Sequence, residues 1–216
     1  MLPPLSRLSA RLRSRAARPE GQGGPGAEIA PGGAGRPPPC DWAWQPDPWV
    51  RPMAPGAVPD VADGAVLAPG VRLFHDGGGS RIAVEQGRAA GEPPHDLHID
   101  APGFAGSFLS LAVDLPGEAA RGLRRSHIVG IAAQLEAARP GAVYLRLNIR
   151  QGPNTERRVE TAPPGLVARA EFDLGFDAIN PVRLEAAWID LIFAAPLEGP
   201  LVIEDLVVTR RPRADL

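Results

Sequence analysis

The stretch Ala142–Arg158, AVYLRLNIRQGPNTERR, decides the fold. Taken two by two, Val143, Leu145, Leu147 and Ile149 fall on one side of the chain, and Tyr144, Arg146, Asn148 and Arg150 on the other. A period of two is the repeat of an extended strand whose two faces meet different surroundings. The loop QGPNTERR then closes the strand, and Gly and Pro there favour a turn.

The same period continues on both sides. VRLFHD, RIAVEQ and LHID are short alternating runs, FLSLAVDLP sets Leu109, Leu111, Val113 and Leu115 on one face, and HIVGIAAQLEA alternates Val129, Ile131, Ala133 and Leu135. VARAEFDLGF, RLEAAWIDLIFAAP and LVIEDLVVTRR follow, with Gly, Pro or Asn in nearly every gap. GEAARGLRRS and NPVRLEAAW are the two segments open to a helical reading, and neither alternates regularly with strands, which argues against βαβ units. The expected fold is all-β: an antiparallel β-sandwich of jelly-roll type over 71–216.

Composition sets limits on function. The chain has 216 residues, 44% of them hydrophobic, enough for one domain with a real core. A formal charge of −2 provides no global attraction to nucleic acid, and none is expected as a partner. Every basic residue is Arg, in a chain rich in Ala, Gly and Pro, as GC-rich coding would produce. The single Cys40 excludes an internal disulfide framework and a multi-cysteine zinc site. Without a long apolar run or a signal-peptide core, the expected compartment is the cytoplasm.

The N-terminal 39 residues read differently. Residues 1–18 carry five Arg and no acid, with Leu5, Leu8 and Leu12 spaced as one helical stripe. Such a segment is either a solvated tail or a basic amphipathic helix for a peripheral membrane surface or a protein partner. Residues 19–39 are mostly Gly and Pro and read as a disordered linker. Residues 40–70 form a Trp- and Pro-rich stretch, with Trp42, Trp44 and Trp49 within eight positions. These rings serve either as a stacking platform or as anchors pinning an extended arm to the domain; the prolines favour the anchor.

Two resemblances follow from these motifs. AWIDLIFAAPLEGPLVIEDLVVTRRP resembles the closing hairpin of galactose-binding-like and carbohydrate-binding-module jelly rolls. DWAW, FHD, GSFLSLAVDLP, LRRSHIV, RLNIRQGPNTE and AWIDLIF together resemble an uncharacterised alphaproteobacterial family, a domain of unknown function, over 41–216. The second resemblance implies no activity and contributes no site residues.

The candidate site is the polar side of the opening strand. Tyr144, Arg146, Asn148 and Arg150 offer an aromatic surface, forked donors and an amide, the groups that hold a polar or anionic saccharide. Asn154 joins them from the loop, and Trp188 and Asp190 would add a ring and a carboxylate if their strand lies alongside. The plainer reading is a wetted sheet face whose arginines pair with carboxylates such as Asp173 or Asp190.

No catalytic residue, metal ligand or cofactor is assigned. His95 and His98 point opposite ways on a strand, His75-Asp76 lacks further ligands, and the glycines of DGGGS lack the Lys and helix of a phosphate loop. No serine sits in a nucleophile elbow and no motif selects a carboxylate pair. The expected function is a non-catalytic saccharide-binding module. The alternative is an interaction protein tethered through residues 1–18, and a glycoside or ester hydrolase is third.

Overall fold

Gly152 carries the turn of the opening hairpin at φ +56°, and Pro153 follows it. A two-residue hairpin loop favours Gly where φ must be positive, and the proline ring holds the next φ negative. In the computed structural model, which describes residues 26–31, 33, 35–136, 140–176 and 178–214, that hairpin joins β10 (Pro140–Gln151) to β11 (Asn154–Thr161). The expected helix within 1–18 and the first residues of the linker lie outside the described residues.

Earlier in the chain come β1 (Gly26–Glu28), β2 (Trp42–Pro46), the short helix α1 (Asp47–Val50), β3 (Ala57–Val58), β4 (Ala65–Ala68) and β5 (Val71–His75). They are followed by β6 (Ala83–Arg88), β7 (His95–Asp100), β8 (Phe108–Asp114), α2 (Gly117–Arg121) and β9 (His127–Leu135). After the opening hairpin come β12 (Val167–Asp173), β13 (Leu184–Leu197) and β14 (Leu201–Pro212). All strand pairs are antiparallel. One sheet has six strands in the order β11-β10-β13-β8-β5-β4. In the other, of eight strands, β14 pairs with β2 and β7 along one edge and with β9 along the opposite edge, and β12 extends beyond β9.

The sandwich predicted from alternation is the one observed. Leu145, Leu147 and Ile149 share a single buried cluster with Ile131, Ile203 and Val208 of the facing sheet. A one-residue irregularity at Glu204 resets β14, so that Ile203, Leu206 and Val208 all reach the core and Asp205, Val207 and Thr209 point away. The two ambiguous segments resolve as a one-turn helix at α2 and a 3₁₀ turn, Pro181–Arg183, ahead of β13. Among the described residues no helix is long and apolar enough to cross a membrane.

Two expectations about the N-terminal third change. Residues 40–70 do not merely lie on the domain; they supply β2 and β3 to one sheet and β4 to the other. Trp44 and Trp49 are buried, Trp42 and Trp44 stack with ring centroids 6.3 Å apart, and the Trp49 Nε1–H donates to the Ile203 carbonyl at 3.0 Å. The rings therefore work as anchors. The linker also gains structure from Gly26 onward, where β1 pairs with β2. Arg36 staples the following turn by donating to the Ile29 carbonyl at 2.8 Å, the Cys40 and Asp41 carbonyls, and Glu28. A guanidinium with five donors fills backbone acceptors that Gly and Pro cannot reach with side chains.

The histidines also take local partners. His95 Nδ1 lies 3.3 Å from the Gly87 carbonyl, and His98 Nε2 lies 3.0 Å from Asp96 Oδ1. Asp76, at the head of DGGGS, accepts from the Ser107 and Phe108 amides at 2.7 and 3.1 Å. The Asp76 carboxylate thus ties this turn to the start of β8.

Candidate functional site

β10 and β13 are neighbours, and their register sets Arg146 opposite Asp190 and Asn148 opposite Trp188. Extended across the sheet, one row reads Val159, Arg146, Asp190, Ala112, Arg72, and the next reads Arg157, Asn148, Trp188, Asp114. These rows stand on the side of the six-stranded sheet away from the shared core.

That side is not wetted, contrary to the expectation from alternation. Asn148 is 0% exposed, Asp190 3%, Tyr144 and Trp188 6%, and Arg146 8%. Side chains from adjacent strands pack laterally on one another. Phe108, Tyr144, Ile192 and Ala194 form an apolar cluster separate from the main core, with Phe74 and Ala142 at its rim. Beside it, Asp190 Oδ2 accepts from Arg146 Nε at 2.8 Å and from Asn148 Nδ2 at 2.6 Å, while Asn148 Nδ2 also lies 3.3 Å from the Trp188 carbonyl. Asn148 Oδ1 and Ser110 Oγ are buried without a hydrogen-bond partner. A buried acceptor left without a partner is energetically costly.

The seven predicted residues therefore divide. Arg146, Asn148, Trp188 and Asp190 form one contact network, and Tyr144 lies two residues along in the apolar cluster. Arg150 pairs with Glu185 at 3.0 Å, and Asn154 sits exposed beyond the turn. Asp173, named as a partner for these arginines, pairs instead with Arg213 at 2.9 Å. Ser110, Phe108 and Ile192 escaped sequence reading because their strands are apolar on both faces, leaving no alternation to assign a side.

The open space lies on the opposite sheet. A trough of ≈ 620 Å³ crosses the outer side of β12, β9 and β14, lined among others by Gln134, Arg169, Glu171, Asp205, Thr209 and Arg211. Arg211 pairs with Glu171 at 2.9 Å, and Gln45 Nε2 donates to Asp205 Oδ1 at 2.8 Å. Burial pushes the Asp205 carboxyl above its ordinary 3.8, against the smaller opposing effects of Gln45 and the Leu206 amide. A raised folded-state pKa means the folded chain binds this proton more tightly than the unfolded chain does. The stabilisation is full below about pH 4 and lost as pH rises through the folded-state value. Asp205→Asn is expected to raise the thermal midpoint at pH 7, with the gain shrinking to nothing near pH 3. Equal midpoints at pH 7 would mean that the carboxylate is well solvated. Among the described residues no three His, Cys, Asp or Glu side chains converge as metal ligands.

A two-sheet antiparallel sandwich with a closed ion-pair row on one outer side defines the chain as an all-β sandwich domain. It belongs to DUF6478, a family of unknown function, whose model matches residues 27–216. No curated protein matches it. Among solved structures it is similar to the enzymatically active domain of tailspike protein 4 of bacteriophage CBA120 at 8% identity and a TM-score of 0.45, over 74% of this chain and 22% of that one. It thus spans under a quarter of the tailspike domain's length. It is also similar to the family 11 carbohydrate-binding module of Clostridium thermocellum in complex with a mixed-linked tetrasaccharide, at 11% identity and a TM-score of 0.41, over 72% and 97% of the two chains. A third similarity is to the Stig cyclase Fisc of Fischerella sp. TAU, at 12% identity and a TM-score of 0.43, over 73% and 89%.

Proposed function

We propose that this chain is a non-catalytic binding module for a polar or anionic saccharide, taken on the outer side of the six-stranded sheet. The observation that carries the reading is Asn148 Oδ1, buried and unpartnered beside the Arg146–Asp190 pair. A sandwich needs only the inner side of each sheet for its core, so a polar network with Tyr144 and Trp188 on the outer side is surplus to folding. Fixed donors, a spare acceptor and flanking rings are what a sugar's hydroxyls and apolar face require. Arg72, Arg146 and Arg157 outnumber Asp114 and Asp190 on these rows by three to two, which favours an acidic sugar at the rim. Entry is from the Arg72 and Arg150 margins, which stay partly exposed. Because the centre is closed at rest, association is expected below the usual ~10⁵–10⁷ M⁻¹s⁻¹.

The test is a glycan array probed with the full chain beside an Arg146→Met/Asp190→Leu variant, which removes both charges together. Binding to uronic-acid or other polar glycans that falls at least tenfold in the folded variant is the expected result. Silence from the folded wild type would retire the saccharide reading.

A further inference from the structure

Three arginines from three distant segments converge on one turn at the end of β12. Arg125 donates through Nη2 to the Gly175 carbonyl at 2.8 Å, and Arg158 through Nη2 to the Phe176 carbonyl at 3.4 Å. The Arg213 guanidinium lies 5.1 Å from the centre of the Phe176 ring and donates through Nε to Asp173 Oδ2 at 2.9 Å. Asp173 Oδ1 accepts from the Gly175 amide at 2.8 Å and completes the turn. Yet the ring so carefully held is 75% exposed, and Val182, later in the same connection to β13, is 93% exposed. That connection is anchored, not loose: Gln151 bonds both the Ala178 carbonyl and the Asn180 amide, and Gly152 N–H donates to the Arg183 carbonyl.

Holding an apolar side chain in water serves nothing in the fold. We propose that this end of the sandwich docks on an anionic phospholipid surface, with Phe176 and Val182 entering the headgroup layer and Arg125 and Arg213 meeting lipid phosphates. A guanidinium has five N–H donors, so Arg125, which spends Nη2 on the Gly175 carbonyl, and Arg213, which spends Nε on Asp173, have further N–H groups with which to meet phosphate. Charge complementarity favours this partner: among the described residues of the turn and its connection, Arg125, Arg183 and Arg213 stand against Asp173 alone. A protein partner is disfavoured because a stable one covers about 800 Å² per side, far more than two apolar side chains offer. An aromatic ring beside basic residues is the usual chemistry of an interfacial contact. This surface shares no residue with the saccharide face.

The experiment is co-sedimentation of the full chain with phosphatidylcholine vesicles with or without 30 mole per cent phosphatidylserine (about one lipid in three, enough for a strong surface potential). Wild type is expected to pellet with the anionic vesicles alone and to be released by salt. Phe176→Ser is expected to weaken partitioning about tenfold, Val182→Ser to act in the same direction, and Arg125→Gln to weaken it about fivefold. Both apolar positions are exposed, so unchanged melting transitions certify the fold. Pelleting that survives Phe176→Ser belongs to residues 1–18 and overturns the proposal. So does equal pelleting with neutral vesicles, no pelleting at all, or capture on a soluble polyanion that is indifferent to Phe176.

Discussion

Arg146→Ala is expected to destabilise the domain by about 3–5 kcal/mol, a large share of the ~5–15 kcal/mol that holds a domain folded. The side chains of Arg146 and Asp190 are only 10% and 4% exposed, and their Nε–Oδ2 separation is 2.8 Å. Removing the guanidinium leaves a carboxylate in a dry environment beside the Asn148 amide. The cost arises from that stranded charge more than from lost attraction, because both ions were already stripped of water. The double replacement Arg146→Met/Asp190→Leu should therefore recover most of the loss, since it leaves no charge behind. Urea denaturation of the two variants reads both effects. An exposed pair would register below about 1 kcal/mol, and an Arg146→Ala loss that small would mean that this side of the sheet is open to water.

Trp49→Ala should cost about 3–5 kcal/mol by a different route. Trp49 is 0% exposed, belongs to the main cluster, and ties α1 to β14 through its bond to the Ile203 carbonyl. Truncation leaves a cavity large enough that the surrounding strands cannot fully collapse into it, and it orphans the carbonyl. Trp49→Phe keeps most of the volume and should lose about 1 kcal/mol more than its change in shape explains. Trp42, only partly buried, provides the internal comparison. Equal urea midpoints for Trp42→Ala and Trp49→Ala would mean that residues 40–70 are laid loosely against the sandwich.

How much of this was legible depends on the range of each signal. The alternation of Val143 to Ile149 correctly assigns the core side of β10, because period two is a property of neighbouring residues and a one-residue slip would expose every one of them. The tryptophan cluster likewise announces an anchor, since rings that large spaced among prolines have few other uses. The same alternation misplaced Tyr144, Arg146 and Asn148 in solvent. It reports that two faces differ in polarity, not what lies against the polar one. Asp190 is among the carboxylates expected for Arg146 and does pair with it, but alternation could not choose it over Asp173, nor find Ser110 on a strand buried on both sides.

The turn at Phe176 is the extreme case. Its phenylalanine stands at the end of VARAEFDLGF with nothing local to single it out, and the three arginines lie on segments separated by tens of residues. By itself, then, the sequence determined the all-β class and the inner faces of the strands, and favoured an anchoring role for the N-terminal rings. Each of these follows from local periodicity and side-chain size. The tertiary structure alone decided which polar side chains are dry, which charges meet, and which apolar ring is left in water. Those depend on the order in which strands pair, and pairing partners distant along the chain leave no mark on the residues between them.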